Sequence, residues 1–418
     1  MTFLNKRNLL LFFALSTLSA NSQISDVSEL VGKEKDSNPV QSAVPFLTIA
    51  PDSRAGAMGD AGVATSPDAN SMHWNPAKYA FVEHKTGLSL TFTPWLRNLV
   101  DDIYLAYLSG YQRIDKQQVI GGSLLYFSLG DIIFTDNYGE QTGQVHRARE
   151  FAIDGAYTRL FSKVISGSVA FRFIHSNLAG YGTIGDFESK PGISYATDVS
   201  TYYQKNVVAG ETEGILAFGL NISNIGTKIS YTEETDEFIP INMRLGSAYT
   251  FKIDQYNWLT ITAEGNKLLV PTTPEYFNIG EIDRNGDTVR GGDEIIKWGK
   301  DPNVSVAAGM FQSFYDAPGI AENGRRNVFK EELQEVTYSL GTEYWYNKQF
   351  AIRAGYFNEN LRKGNRKYYT VGLGLRLNTL GLDFAYLIPR YYNNNPMANT
   401  VRFSLIFNLA TQTPNKKQ

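Results

Sequence analysis

The chain has no cysteine among its 418 residues. That excludes a disulfide framework, a thiolate metal site and a lipid anchor on an N-terminal cysteine, so whatever holds the fold together is non-covalent. An excess of one charge sign is also missing. The 39 Lys and Arg stand against 42 Asp and Glu, a formal net charge of -3, which gives no field to draw in nucleic acid as a partner. No window of about twenty uncharged apolar residues exists downstream of the N-terminus, so helical membrane spans are excluded. What the chain does have is aromatic and small: 25 Tyr, 25 Phe and 37 Gly, a mixture suited to many amphipathic strands.

The N-terminus reads as an export signal over residues 1–22. Lys6 and Arg7 supply its positive region, Leu9 to Leu18 its apolar region, and Ala20-Asn21-Ser22 a small-residue cleavage site before Gln23. A soluble periplasmic protein is compatible with that signal, so the strands must decide.

From Thr86 onward apolar residues alternate strictly with polar or small ones, the period-2 signature of a strand with one apolar face. Val371, Leu373, Leu375 and Leu377 alternate with Gly372, Gly374 and Arg376, and Val401, Phe403, Leu405, Phe407 and Leu409 with Arg402, Ser404 and Asn408. The pattern predicts strands near 86–93, 101–109, 118–129, 148–158, 162–174, 194–204, 213–223, 240–251, 257–267, 335–346, 349–357, 367–377, 379–388 and 399–409. Long links (130–147, 175–193, 224–239, 268–334, 389–398) alternate with short ones (159–161, 252–256, 347–348, 378). Bacterial barrels join strands by short periplasmic turns and longer extracellular loops, so this parity predicts an all-β transmembrane antiparallel barrel of about 14 strands over 86–409, with a C-terminal tail at 410–418. A soluble β-sandwich would not require the parity.

On this register the inward face carries Asp154, Asp198, Glu264, Glu343 and Asp383 together with Arg172, Arg244, Arg353, Arg376 and Arg402. Both signs are well represented. An ion-selective pore would concentrate one sign at a constriction, so a salt-bridged, plugged lumen is the expectation. Residues 23–43 are polar and are expected to form a flexible periplasmic tail. Residues 44–85 differ: small residues at Gly56, Gly59 and Gly62, with Arg54 beside Asp52, fit an N-terminal plug packed against an ionic lumen.

The run from Pro51 through Asp52, Arg54, Gly56 and Gly59 to Gly62, and the Trp74-Asn75-Pro76-Ala77 motif, resemble the PorV family of the Bacteroidetes type IX secretion system, barrels related to the FadL long-chain fatty acid transporter. Ile222-Ser223-Asn224-Ile225-Gly226 and Arg244-Leu245-Gly246 extend the resemblance through most of the mature chain. Asn-Pro-Ala behind a Gly-rich segment is shared across FadL-like barrels, whereas Pro-Asp-Ser-Arg-Ala-Gly with Ser-Pro-Asp at 66–68 points to PorV. The resemblance implies an outer-membrane location in a Gram-negative, Bacteroidetes-like cell, among membrane lipid and lipopolysaccharide. It implies no cofactor and no enzymatic activity. It further implies a partnership with a large translocon barrel, receipt of secreted cargo through the cargo's C-terminal signal domain, and delivery to a sortase-like attachment complex. The loop at 268–334 is the preferred cargo-contact element, because long loops are commonly functional. A FadL-like transporter of hydrophobic small molecules is the alternative.

Two further chemistries arise from the residues. Asp283, Asn285, Asp287 and Glu294 occupy the first, third, fifth and twelfth places of a calcium-loop spacing, but the sixth place is Thr288 where a glycine is needed for the turn. A lipid-ester hydrolase would need a Ser and a His at the outer rim. Of His73, His84, His146 and His175, only His175 beside Ser176 is placed there, and adjacent strand residues point to opposite faces.

Overall fold

The computed structural model describes residues 37–411, apart from 97–101, 136–140, 179, 181, 185–186, 210–211, 234, 292–293, 323–324, 391–396 and 398–399. The signal segment 1–22 and the C-terminal residues 412–418 lie outside the described residues.

Fourteen antiparallel strands close into a single barrel. They are β1 (His84–Pro94), β2 (Tyr104–Arg113), β3 (Gln118–Thr135), β4 (Gln141–Leu160), β5 (Ile165–Asn177), β6 (Gly192–Ala209), β7 (Thr212–Gly226), β8 (Asn242–Lys252), β9 (Asn257–Leu268), β10 (Thr337–Tyr346), β11 (Phe350–Asn358), β12 (Lys367–Leu377), β13 (Leu380–Pro389) and β14 (Val401–Thr411). Each predicted strand has its counterpart. Closure comes from β1 pairing with β14, His84 opposite Thr411 through Phe92 opposite Phe403, which leaves no free edge.

The burial pattern is the inverse of a water-soluble sheet. Along β1, Leu88, Leu90 and Phe92 are exposed while Ser89, Thr91 and Thr93 are buried. The same holds around the ring, where outward-facing Leu373 sits opposite Phe384 and Phe384 opposite Phe403, the last pair with ring centroids 5.2 Å apart. A wall of exposed Leu, Ile and Phe around a polar interior is stable only with hydrocarbon outside. Among the described residues no helix is long and apolar enough to cross a membrane.

Links on one end of the barrel are short (114–117, 161–164, 253–256, 347–349, 378–379), and those on the other include 178–191, 227–241 and 269–336. By the barrel convention the latter are extracellular. One expected loop is mostly strand. Residues 130–147 contain the ends of β3 and β4, whose ladder continues through Asp131 opposite Arg147 and Ile133 opposite Val145, with a register shift after Ser128. Gly130, with φ of +84°, sits in that irregularity, where its positive φ accommodates the shift. His146, placed in a loop by its sequence context, therefore lies on β4.

Candidate functional site: an ion-paired lumen beneath a long surface loop

The N-terminal segment is built of short pieces. A 3₁₀ turn over Pro45–Thr48 precedes α1 (Ser53–Gly56), α2 (Ser71–Trp74) and a second 3₁₀ turn over Pro76–Phe81. Pro51 sets the chain before α1, whose N-cap Asp52 accepts from Ala55 N at 3.0 Å. The other Asp52 oxygen accepts from Trp74 Nε1 at 2.5 Å, tying the two family motifs together. Asn75 caps the next turn, and its side chain donates to Val63 O at 3.1 Å and Thr201 O at 3.0 Å. Pro76 contributes its carbonyl to Thr158 Oγ1 at 2.9 Å.

These residues meet the inward face of the barrel. Arg54 is buried and forks onto both Glu343 oxygens, at 2.8 and 2.7 Å, while its remaining amine reaches Asp68 at 2.8 Å. Arg353 joins Glu343 to Asp383 at 2.7 and 2.8 Å, and Arg376 meets Asp383 at 2.7 Å. Across the lumen Arg172 pairs with Asp154 at 2.6 Å and Asp198 at 3.1 Å. Glu264 accepts from Gly62 N and Val63 N at 2.7 and 2.8 Å. Arg244 donates to His73 O at 2.8 Å and lies over the Trp74 ring. Arg402 faces Asp60 at 3.5 Å. Paired charges of this kind satisfy one another at fixed geometry and leave little field for a permeating ion.

Close approach explains the glycines. A Cβ on Gly355 of β11 would stand 2.0 Å from Gly59 N, and one on Gly219 of β7 2.1 Å from Val63 O. Gly59 itself has φ of +69° and packs on the Tyr356 backbone. Gly56 lies against the Arg402 side chain and Gly62 against the Trp74 ring.

The direction of the segment corrects one expectation. Asn38 N donates to Arg362 O at 2.8 Å and Ala43 N to Phe238 O at 2.9 Å; the acceptors lie on the links 359–366 and 227–241, both at the end opposite the short turns. At its other end Arg113 donates to Val82 O at 2.6 Å, and Ser166 to Ala77 O at 2.6 Å, beside the short turns. Residues 37–43 thus stand at the extracellular end and not in a periplasmic tail, because the segment enters β1 only after running the length of the lumen. Residues 23–36 lie outside the described residues.

The long link 269–336 carries secondary structure of its own. It contains α3 (Val306–Gln312), α4 (Val328–Gln334) and two small hairpins, Glu275–Tyr276 with Ile296–Trp298 and Ile320–Glu322 with Arg325–Asn327. Three carboxylates at the end of α4 fasten it. Glu332 and Glu335 take Lys267 at 3.0 and 2.5 Å, and Glu331 and Glu335 take Lys363 at 2.7 and 3.0 Å. Glu331 also accepts from Gly319 N at 2.7 Å, and Glu332 from Asp316 N at 2.9 Å. Asp316 accepts from Thr272 N at 3.2 Å through one oxygen, and its other oxygen is buried without a hydrogen-bond partner. Burial, with the Glu332 and Glu335 charges nearby, pushes the Asp316 carboxyl up to about 7. Lys267 and Lys363 outweigh burial at Glu335 and hold its carboxyl below the usual range. This cluster was missed in the sequence, where its members are scattered over four segments.

Asp283, Asn285 and Asp287 fall in one exposed turn of this loop. The Asp283 carboxylate accepts from the backbone of Asn285 at 2.9 Å and of Asp287 at 2.8 Å, so it closes its own turn, and Ile282 bridges to Thr288. Glu294 lies outside that turn, which the bridge closes at Thr288. Among the described residues no group of three or more His, Cys, Asp or Glu side chains is arranged to hold a metal ion. His175 and Ser176 point to opposite faces: His175 stacks on Phe151 at 5.0 Å, whereas Ser176 is buried and donates to Glu150 at 2.7 Å.

A closed fourteen-strand antiparallel barrel with an apolar exterior and an ion-paired interior defines an outer-membrane β-barrel protein. Residues 32–275 match the family model described as type IX secretion system protein PorV, and the chain belongs to that family. No curated protein sequence matches it. Similar solved structures are FadL-like outer-membrane barrels. The Pseudomonas putida toluene transporter TodX is 12% identical over 85% of this chain and 96% of its own, with a TM-score of 0.42. A Pseudomonas aeruginosa FadL homologue is 10% identical over 89% and 99%, TM-score 0.42. The Ralstonia pickettii toluene transporter TbuX is 11% identical over 85% and 97%, TM-score 0.44.

Proposed function

We propose that this outer-membrane protein acts without catalysis: it binds the C-terminal signal domain of secreted cargo at a large translocon barrel and carries it to a sortase-like attachment complex at the cell surface. The observation that carries this reading is the surface loop. Four aromatic side chains on it, Phe311, Phe314, Tyr315 and Phe329, are exposed, with Phe311 at 74%. Exposed apolar patches of this kind mark interaction sites. The loop is fastened to the barrel rim by buried ion pairs, which presents that face at low entropic cost. The N-terminal segment supports the same reading from below, acting as a plug that leaves the barrel a platform and not a conduit.

A transporter of hydrophobic small molecules needs an apolar route through the lumen, and the ion pairs around Arg54, Arg172 and Arg353 line that route with charge. The test is an affinity pull-down of tagged full-length protein from outer membranes in mild detergent, compared with Phe311→Ser. Co-purification of a very large barrel and of secreted proteins sharing a C-terminal domain, with the cargo reduced by the substitution, is expected. Recovery of the protein alone with bound fatty acid would replace this reading by the transporter.

A further inference from the structure

Helix α4 carries its polar face inward and its apolar face outward. Glu331, Glu332 and Glu335 are buried on the ion pairs with Lys267 and Lys363, while Phe329 and Leu333, four residues apart on the other face, are 71% and 49% exposed. A helix in water has the opposite order. An apolar face turned outward beside a membrane wall belongs to the bilayer side of the boundary.

Below α4 the wall itself is hollowed. In β8 and β9 Leu245 lies opposite Gly265 and Ser247 opposite Ala263; across the next seam Gly265 is opposite Tyr338 and Ala263 opposite Leu340. Leu245, Tyr338, Leu340 and Phe218 are outward-facing and exposed. The small residues Gly265, Ala263 and Ser247 leave a groove among them, roofed by Phe314, Phe329 and Leu333, with a volume of about 690 Å³. Lys267, on the outward parity of β9, is covered by the roof and neutralised by Glu332 and Glu335, so no unpaired charge opposes an apolar occupant.

We propose that this groove seats an acyl chain of an outer-leaflet membrane lipid, held between the small-residue hollow of β8–β10 and the roof formed by α4 and Phe314. The occupant follows from continuity. The floor of the groove is the barrel wall already in contact with hydrocarbon, and the groove opens along that wall at the extracellular end, where outer-leaflet chains lie. Its volume falls within the roughly 300–1,000 Å³ typical of ligand sites. A chain drawn in is enclosed on two sides by apolar carbon, whereas a chain elsewhere on the wall touches only one. Phe314 and Phe329 in the roof also belong to the loop face assigned to cargo, but lipid seating is read with no cargo present and does not depend on that assignment.

The test uses the full chain in nanodiscs containing phospholipid with brominated acyl chains, which quench tryptophan on contact. None of the five native Trp lines the groove, so Leu333→Trp adds a reporter to a measured background. Phe311→Trp, outside the groove lining, is the control. Several-fold stronger quenching at 333 than at 311 is expected. Gly265→Leu fills the groove without a clash, because a Cβ there meets only Val336 Cγ1 at 3.7 Å; combined with Leu333→Trp it should relieve most of the quenching while the barrel stays folded by circular dichroism. Equal quenching at 333 and 311, or quenching at 333 untouched by Gly265→Leu, would overturn the proposal. So would loss of quenching only when a co-purifying protein is present, which would make the groove a protein seat.

Discussion

The N-terminal segment and the long extracellular loop are both irregular chain attached to the same barrel, yet they solve opposite problems. The segment from Ala43 to Val82 is almost entirely buried, and its charges and backbone groups are matched by inward-facing strand residues such as Glu343 and Glu264. The loop buries its carboxylates on two lysines and leaves its aromatics outside. In the first, polar pairing fixes a buried segment against the strands; in the second, polar pairing fixes a base so that apolar side chains can be displayed. Ion pairs act as fasteners in both, and what differs is which surface they free.

The sharpest way to break the comparison is to unseat the segment and leave the loop alone. Gly355→Val puts a Cβ 2.0 Å from Gly59 N and 2.1 Å from the Met58 carbonyl carbon. Two backbones collide there, so no side chain can yield, and the cost should exceed the 1–3 kcal/mol, roughly, of ordinary overpacking. The expected outcome is a folded barrel with an ejected segment, read as new single-channel conductance in planar bilayers and trypsin cleavage after Arg54. An unchanged conductance would mean that the lumen is closed by something other than this packing.

Arg54→Met is next. It removes the fork onto Glu343 and the contact with Asp68. Breaking a buried pair by deleting one partner costs about 3–5 kcal/mol, here partly offset because Arg353 keeps its bond to Glu343. Urea unfolding should show the loss, and Glu343→Gln added to Arg54→Met should recover part of it. Additive effects of the two substitutions would deny the coupling.

How much of this was legible depends on whether a pattern names a face or only a period. Strand alternation names both, because in a barrel with lipid outside the apolar set has one place to go; hence β12 is recovered residue for residue at 367–377. The inward charges Asp154, Arg172, Glu343 and Arg353 follow from the same register. Helix α4 is different. Phe329 and Leu333 against Glu331, Glu332 and Glu335 announce an amphipathic helix, but the spacing is identical whichever face is buried, and only the lysines brought from β9 and from 359–366 decide it. The link expected at 130–147 failed for another reason, since its alternation is broken by the register shift after Ser128 and the ladder resumes at Asp131 opposite Arg147. The direction of the N-terminal segment was hidden altogether, because composition marks residues 37–43 as polar without saying which end of the lumen they reach.

The loop has its own handle in pH. The Asp316 carboxyl is raised to about 7 by burial and by Glu332, so the docked loop binds a proton that the released loop, with an ordinary carboxyl near 4, does not. The Asp316 contribution to docking is therefore fully present below about pH 4, declines as pH rises through about 7 and then levels off, while the Glu335 ion pairs, whose carboxyl is held low by Lys267 and Lys363, weaken only on the acid side. Limited proteolysis of the loop should be slower at about pH 5 than at about pH 8, while cleavage of the N-terminal segment should not follow the Asp316 profile. Asp316→Asn should flatten the loop's profile; a wild-type profile rising in the other direction would assign the control to a different group.

The smallest effect on stability is expected where the display itself is altered. Phe311 is 74% exposed and lies on α3, capped by Ser305, so Phe311→Ser removes neither packing nor a fastener. Substitutions at such positions fall within about 0.5 kcal/mol of neutral. Unfolding midpoint and loop proteolysis should match the wild type, and only capture of cargo should fall. If stability fell as well, Phe311 would be part of the loop's own packing, and the division between a fastened polar base and a free apolar face would have to be redrawn.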